Sequence, residues 1–225
     1  MGIYHFPSEF VFWTENEKHT ELKDELVEKI NKDTQIRKQD TGGLTNAITN
    51  YANNEYCQFL NDTTLIKNVV VEPFKEMIKE FNSRMNVNKL NIKNIHVSST
   101  WYTKYKTGGY FPMHSHIEKF GCVIHNNELY QRSFSLIYIL NDKNIKNSTE
   151  FFVPSACRTS AFNANHYTFK SGDIPDIKEG SIIIFPASLY HHVLPSIEPD
   201  RIVISYNIDC TFDGDAMCYI PVKSP

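Results

Sequence analysis

The sequence contains no apolar run near the roughly 18 residues that a membrane-spanning helix requires, and no Cys-x-x-Cys pair among its five cysteines. The first eight residues lack the charged and apolar regions of a secretory signal. Scattered cysteines in an odd number are typical of reduced thiols, not of a disulfide framework or a cysteine-based zinc site. A formal net charge of -3 gives no overall basic field, so a nucleic-acid partner is not indicated. We therefore expect a soluble, cytoplasmic protein with no membrane partner.

Hydrophobic and aromatic residues are plentiful. They include 15 Phe and 12 Tyr, and hydrophobic residues make up 41% of the 225-residue chain. This composition is typical of a β-rich globular protein and argues against disorder. A chain of this length can bury one large core. We expect a single domain over residues 1–225, with a helical flank over 1–90 and a strand-rich core over 91–225.

The first third of the chain shows helical spacing. Thr14–Asp33 carries apolar residues at intervals of three and four among charged residues, which predicts an amphipathic helix. Asp62 is a candidate N-cap for a second helix that runs to about Met85, and Pro73 should kink this helix or divide it. The polar stretch 41–54 between the two helices is predicted to be a loop.

Short strands dominate the rest of the sequence. Helices packed outside such a run favour a curved sandwich or barrel over an alternating βαβ layout. The predicted strands are Ile92–Tyr105, Ser133–Leu140, Thr149–Val153, Tyr167–Ser171, Ser181–Phe185, His192–Leu194 and Arg201–Ile208.

A His-x-His step at His114 and His116 predicts a metal site. Side chains alternate along an extended chain, so residues two apart place both imidazoles on one face. A third ligand must come from elsewhere, and His191 supplies it if the segment 180–193 lies beside the first strand. Imidazole suits iron, zinc and copper, so the ligand type does not fix the metal. Arg201 follows His191 by ten residues, and a strand beginning there would bring the guanidinium into the same cavity from a neighbouring strand.

Trp101 to Asn207 resembles the core of the iron(II)/2-oxoglutarate-dependent oxygenases, and is most similar to the phage and bacterial group of such oxygenases. The resemblance is carried by Trp-Tyr, Tyr-x-x-Gly, His-x-His, an acidic-aromatic strand, Phe-Pro followed by His-x-Val-x-Pro, and Arg-x-x-x-Ser-x-Asn. It covers about half the chain. It implies a mainly β fold with flanking α-helices, a double-stranded β-helix of the jelly-roll or cupin-like kind.

The resemblance also implies roles for individual residues. His114 and His191 would bind iron(II), and His116 stands where the wider superfamily usually has aspartate. His191 is preferred to His192 because it occupies the first place of His-x-Val. Glu118 remains an alternative third ligand, since it would supply the carboxylate that a facial triad normally contains.

The resemblance also implies a binding site for the cosubstrate. Arg201 would hold the distal carboxylate of 2-oxoglutarate, to which a planar guanidinium fork is well matched. Ser205 would complete that clamp, and Tyr105 matches the place where prolyl-hydroxylase-like members have a tyrosine near the cosubstrate. The implied reaction consumes O2 and 2-oxoglutarate and hydroxylates a C–H bond of a peptide, prolyl-type, or of a small molecule. A phage-encoded enzyme acting in the host cytoplasm fits this group.

Two alternative functions stay open. Cupins share the β-helix, and Gly108-x₅-His114-x-His116 fits their first motif, while the segment 180–191 fits the second except at Ser188. Such an enzyme would bind metal through histidines without 2-oxoglutarate, so Arg201 separates the two hypotheses. The other alternative is a non-catalytic β-sandwich binding module, because a fold does not by itself establish function.

Overall fold

Antiparallel β-sheet dominates the structure, a computed structural model. It describes residues 9–37, 46–51, 58–84, 89–117, 122–125, 128–145, 148–152 and 168–212. None of the helices in these ranges is long and apolar enough to cross a membrane.

Helical segments lie in the first third of the chain, as predicted. Asp62 caps the second one as expected, since its Oδ1 accepts hydrogen bonds from the backbone N–H groups of Thr64 and Leu65. A π-helical turn then separates two α-helical pieces just before Pro73, whose ring nitrogen cannot donate the usual i to i−4 bond. The segments are α1 (His19–Arg37), a 3₁₀ turn (Gln58–Asn61), α2 (Thr63–Ile66), the π-helical turn (Lys67–Val71) and α3 (Glu72–Arg84).

The strands form two sheets. One sheet has seven strands in the order β1-β9-β6-β11-β3-β2, with β5 paired to β6, and the other has four in the order β4-β10-β7-β8. The strands are β1 (Phe12–Glu15), β2 (Ala47–Thr49), β3 (Ile92–Tyr105), β4 (Phe111–His114), β5 (Cys122–His125), β6 (Glu128–Asn141), β7 (Thr149–Phe152), β8 (Thr168–Lys170), β9 (Ser181–Pro186), β10 (Tyr190–Val193) and β11 (Arg201–Phe212).

The two faces of the seven-stranded sheet have different partners. On β11, Ile202, Ile204 and Tyr206 pack with the helices in one hydrophobic cluster, whereas Val203 packs in a second cluster with residues of the four-stranded sheet. The alternation of side chains along a strand produces this division. The inner face, toward the four-stranded sheet, is where the cavity described below lies.

Helix α1 is fixed to the outer face of the seven-stranded sheet by polar contacts as well as by packing. The Tyr102 hydroxyl donates to Asp33 Oδ2 at 2.5 Å, and His19 Nδ1 lies 2.8 Å from the Tyr138 hydroxyl. These contacts hold α1 against the outer face of the sheet. The cavity lies at the opposite, inner face.

The fold class is as predicted, but several element predictions were wrong. The first helix begins at His19, because Thr14 belongs to β1, which pairs with β9. The predicted loop 41–54 contains a strand, β2, that pairs with β3. Strands β4 and β5 were missed, and β10 begins at Tyr190, before the predicted His192. Strands β1, β2, β4 and β10 are paired with strands distant in sequence, which local patterns do not reveal, whereas β5 forms a hairpin with the adjacent β6.

Gly180 lies in the turn that leads into β9, where both the backbone conformation and the available space favour glycine. Its φ of +91° favours glycine, and a Cβ added there would lie 2.9 Å from Cγ of His19. Its N–H donates to Ile139 O and its carbonyl accepts from Asn16 N, so the backbone cannot shift freely.

We expect Gly180→Ala to lower the free energy of unfolding by about 2–4 kcal/mol, since backbone strain and overpacking add. Gly108→Ala is the matched control, because Gly108 also has a positive φ, +77°, but open space around its Cα. That change should cost only about 1–2 kcal/mol of backbone strain. Urea unfolding of both variants checks this, and equal losses would contradict the steric argument.

Candidate metal centre

Two of the three predicted histidines lie opposite each other on paired strands. In the antiparallel register of β4 with β10, His114 is the direct partner of His191. Their ring centroids are 4.2 Å apart. The segment carrying His191 therefore lies beside the strand that carries His114, which is the condition under which His191 could supply a third ligand.

His116 completes the cluster from just beyond the end of β4. Its backbone N–H donates to Ala187 O at 2.8 Å, and its ring stacks on Trp101 with centroids 5.6 Å apart. Its ring centroid lies 5.0 Å from that of His114 and 5.0 Å from that of His191. One ligand atom from each of the three rings lies within 4.8 Å of the others, a separation that one metal ion can bridge.

All three rings use Nδ1 for a hydrogen bond to an oxygen acceptor. His114 Nδ1 donates to Pro112 O at 2.9 Å, and His191 Nδ1 donates to Leu189 O at 3.0 Å. His116 Nδ1 donates to Asn207 Oδ1 at 2.7 Å. These acceptors fix the proton on Nδ1 and leave the lone pair on Nε2, which is how metal-binding histidines are normally held.

The Nε2 atoms of His116 and His191 are only 3.3 Å apart. Neither carries a proton in this tautomer, so the two lone pairs face each other without a hydrogen bond between them. A cation between them would remove that repulsion, and the two nitrogens are close enough for one ion to bind both. The donor set therefore fits a transition-metal ion.

Burial keeps the three imidazoles neutral. Desolvation lowers the pKa of His114 and lowers that of His191 well below its ordinary value. Desolvation, with repulsion from the protonated form of His114 adding to it, lowers the pKa of His116 to about 4. Neutral imidazole is the form that binds metal, so the site is ready for an ion at neutral pH.

Arg201 lies buried at the start of β11, directly opposite Tyr105 on β3. Its Nε is 3.0 Å from Asp142 Oδ2, and its Cζ lies 5.2 Å from the centroid of the Tyr105 ring. Burial raises the pKa of Tyr105 to about 12, so its hydroxyl stays protonated. Asp142 and Tyr105 together fix the guanidinium in one orientation.

One cavity of about 200 Å³ joins the histidines to Arg201. The strands were expected to be neighbours, and this was wrong: β10 belongs to the four-stranded sheet and β11 to the seven-stranded sheet. The two sheets face each other, so the residues meet across the gap between them. The predicted site residues lining this cavity are Tyr105, His114, His116, His191, Arg201 and Ser205.

His192 and Glu118 were the two alternative metal ligands that the sequence offered. His192 takes no part in the cluster, since its Nε2 lies 3.0 Å from Glu150 Oε2. Alternation along β10 sends it away from His191. Glu118 lies outside the described residues.

Three polar residues of the cavity region were given no role from the sequence, although Asn207 ends the Arg-x-x-x-Ser-x-Asn motif. Asn207 hydrogen-bonds His116, Asp142 pairs with Arg201, and Arg132 lines the cavity while its Nε lies 3.0 Å from Asp209 Oδ1. Asn207 had a detectable signal, because it lies six residues after Arg201 and so shares its strand face. Asp142 follows β6 directly and has no such signal.

Sequence comparisons give no relative: no protein-family model matches the chain, and no curated protein matches it. Solved structures do share its fold. A Pseudomonas putida prolyl-4-hydroxylase is 9% identical with a TM-score of 0.51, over 92% of this chain and 95% of that chain.

Two further structures are similar. A Trichoplax adhaerens prolyl hydroxylase, in complex with a hypoxia inducible factor oxygen degradation domain peptide fragment, is 11% identical with a TM-score of 0.51, over 88% of this chain and 82% of that one. HygX from Streptomyces hygroscopicus, with nickel and 2-oxoglutarate bound, is 9% identical with a TM-score of 0.50, over 91% and 84%. The fold is thus the predicted double-stranded β-helix.

The neutral histidines make the stability of the metal-free protein depend on pH. When folding lowers the pKa of a histidine, the unfolded state binds a proton at a higher pH than the folded state does. The free energy of unfolding is therefore unaffected above the unfolded pKa, near 6.5, and decreases as the pH falls toward the folded pKa. For His116 that window runs from 6.5 to about 4. We expect the free energy of unfolding, with chelator present, to fall across this window by about 1–3 kcal/mol more in the wild type than in His116→Gln. Urea unfolding at several pH values measures it, and parallel pH profiles would refute the burial argument.

Proposed function

We propose that the protein is an iron(II)- and 2-oxoglutarate-dependent oxygenase that hydroxylates a C–H bond. The observation that carries this proposal is the shared cavity, in which three imidazoles have ligand atoms within 4.8 Å of one another and a buried arginine lies with them. A fold shared with prolyl hydroxylases, and with HygX bound to nickel and 2-oxoglutarate, supports it.

In this proposal His114, His116 and His191 hold the iron. All three are neutral ligands, so the ion keeps its full double positive charge, which favours an anionic cosubstrate. Bound iron(II) supplies the activation of dioxygen, with 2-oxoglutarate as the co-reductant that is converted to succinate and carbon dioxide. The protein contributes geometry, charge and the exclusion of water.

Arg201 anchors the distal carboxylate of 2-oxoglutarate in this proposal. Asp142 holds the guanidinium at Nε, so a cosubstrate carboxylate meets a side chain whose orientation is already fixed. A guanidinium fork binds a carboxylate through two parallel hydrogen bonds. Ser205, on the same strand face, and the protonated hydroxyl of Tyr105 are the additional donors.

Apolar side chains close the space between the histidines and Arg201. Ile137, Phe185 and Val203 are buried and line the cavity. A wall of this kind excludes water, which strengthens charge interactions inside the site. It also keeps the carboxylate of a bound cosubstrate from being hydrated.

The proposed substrate is a peptide, prolyl-type, with a small molecule as the alternative. Tyr51 and Trp101 line the cavity with ring centroids 5.1 Å apart, and Tyr51 is exposed, so an aromatic surface leads from solvent to His116. The neighbour solved with a peptide fragment supports the peptide class.

A cupin-type metalloenzyme without 2-oxoglutarate is the second candidate. A ligand set of three histidines with no carboxylate among the described residues favours it. Arg201 distinguishes the two, because a cupin of this kind has no need for a buried cation facing its metal.

Anaerobic titration with iron(II) and 2-oxoglutarate tests the metal site. We expect the visible charge-transfer band of the iron chelate in the wild type and its loss in His191→Ala. His192→Ala is the matched control, since the adjacent histidine pairs with Glu150 instead, and it should keep the band. Iron binding without a band in the wild type would favour the cupin-type enzyme.

A second experiment tests the role of Arg201. Removing one partner of a buried charged hydrogen bond costs about 2–5 kcal/mol, so Arg201→Gln should weaken 2-oxoglutarate binding by about 30- to 4,000-fold. Iron affinity should stay within about threefold, which is below 1 kcal/mol.

The control for this experiment is Arg132→Gln, which removes the other cavity arginine, paired with Asp209. It should leave 2-oxoglutarate affinity nearly unchanged. Equal losses in the two variants would indicate a general charge effect and would refute a specific anchor at Arg201.

A further inference from the structure

We infer that Asn207 is a positioning residue of the metal centre, which fixes His116 as a neutral ligand through Nε2. The inference rests on the proposed function, because it assigns a role to a residue that supports one of the proposed iron ligands. Asn207 is proposed to act through His116 and not as a metal ligand.

The Asn207 side chain is buried, and its oxygen accepts two hydrogen bonds. Its Oδ1 accepts from His116 Nδ1 at 2.7 Å and from the Ser135 hydroxyl at 3.0 Å. Asn207 is 2% exposed and Ser135 is 1% exposed, so water does not compete for these bonds. Because the Ser135 hydroxyl donates to Oδ1, it holds the acceptor side of the amide toward the imidazole.

His116 needs a side-chain acceptor because of where it lies. His114 and His191 each donate Nδ1–H to a backbone carbonyl two residues earlier, at Pro112 and Leu189. His116 has no such local acceptor, and its contact at Nδ1 comes from Asn207, 91 residues later. Without that acceptor, either ring nitrogen of His116 could carry the proton.

An amide at this position has a different effect from a carboxylate. A carboxylate that accepts from a ligating histidine raises the basicity of the ring and adds negative charge beside the metal. The amide of Asn207 orients the ring without adding charge. Asn207 therefore adds no negative charge to the set of three histidines.

Asn207 lies on the same strand as Arg201, so one strand supports both the proposed ligand His116 and the proposed cosubstrate anchor. Arg201, Ser205 and Asn207 lie on the same face of β11, and all three line the cavity. Strand β11 is paired on both sides, with β3 and with β6. One rigid central strand thus sets both the orientation of His116 and the position of Arg201.

Two variants of similar size test the inference. Asn207→Leu removes the acceptor, and we expect iron(II) to bind about 10- to 100-fold more weakly, as is typical when such a supporting partner is lost. Asn207→Asp keeps an acceptor, so iron affinity should recover to within a few fold of the wild type. The added charge makes the iron more electron-rich, so the charge-transfer band with 2-oxoglutarate should move to longer wavelength.

Competition with a chromophoric chelator measures the iron affinity, and anaerobic absorption spectra measure the band. Iron affinities equal to wild type in both variants, with the band unmoved in Asn207→Asp, would overturn the inference. If Asn207→Leu fails to fold, the band position in Asn207→Asp decides alone. Failure of the proposed function gives a different result, because the wild type itself would then show no band.

Discussion

The antiparallel pairing of β4 with β10 is the constraint on which the rest of the site depends. It sets His114 opposite His191, with both rings on the inner face. A slip of one residue would turn one of these rings outward, since side chains alternate along a strand. His192 shows the alternative position, because it points away from the cluster and pairs with Glu150. The register therefore decides which of two adjacent histidines faces the cavity.

The central position of β11 gives the cavity its second wall. Its outward residues join the core under the helices, and its inward residues face the histidines across the gap between the sheets. The helices cover the outer face of the sheet. β11 therefore packs apolar side chains against them on one side and presents polar side chains to the cavity on the other. Asp142 pairs with the buried Arg201, so the protein itself compensates the guanidinium charge.

The candidate ligands and the arginine could be predicted from the sequence because their signals are local. His-x-His needs only the alternation of an extended strand, and Gly180 and Pro186 bound a run that reads as a buried strand. Non-local features could not be predicted. β1 and β2 are defined by pairing with β9 and β3. The sheet to which β10 and β11 each belong is a property of the whole topology. Backbone acceptors such as Leu189 O leave no mark in the sequence.

The three candidate ligands are all neutral imidazoles, and the proposed function requires all three to bind one ion. Asn207 and the two backbone acceptors engage Nδ1 of each ring and leave Nε2 as the nitrogen available to a metal ion. X-ray absorption at the iron K-edge, on the anaerobic protein with 2-oxoglutarate, counts the imidazoles directly. We predict three imidazoles per iron in the wild type and two in His116→Ala. Two imidazoles in the wild type, with the same spectrum in His116→Ala, would contradict the account.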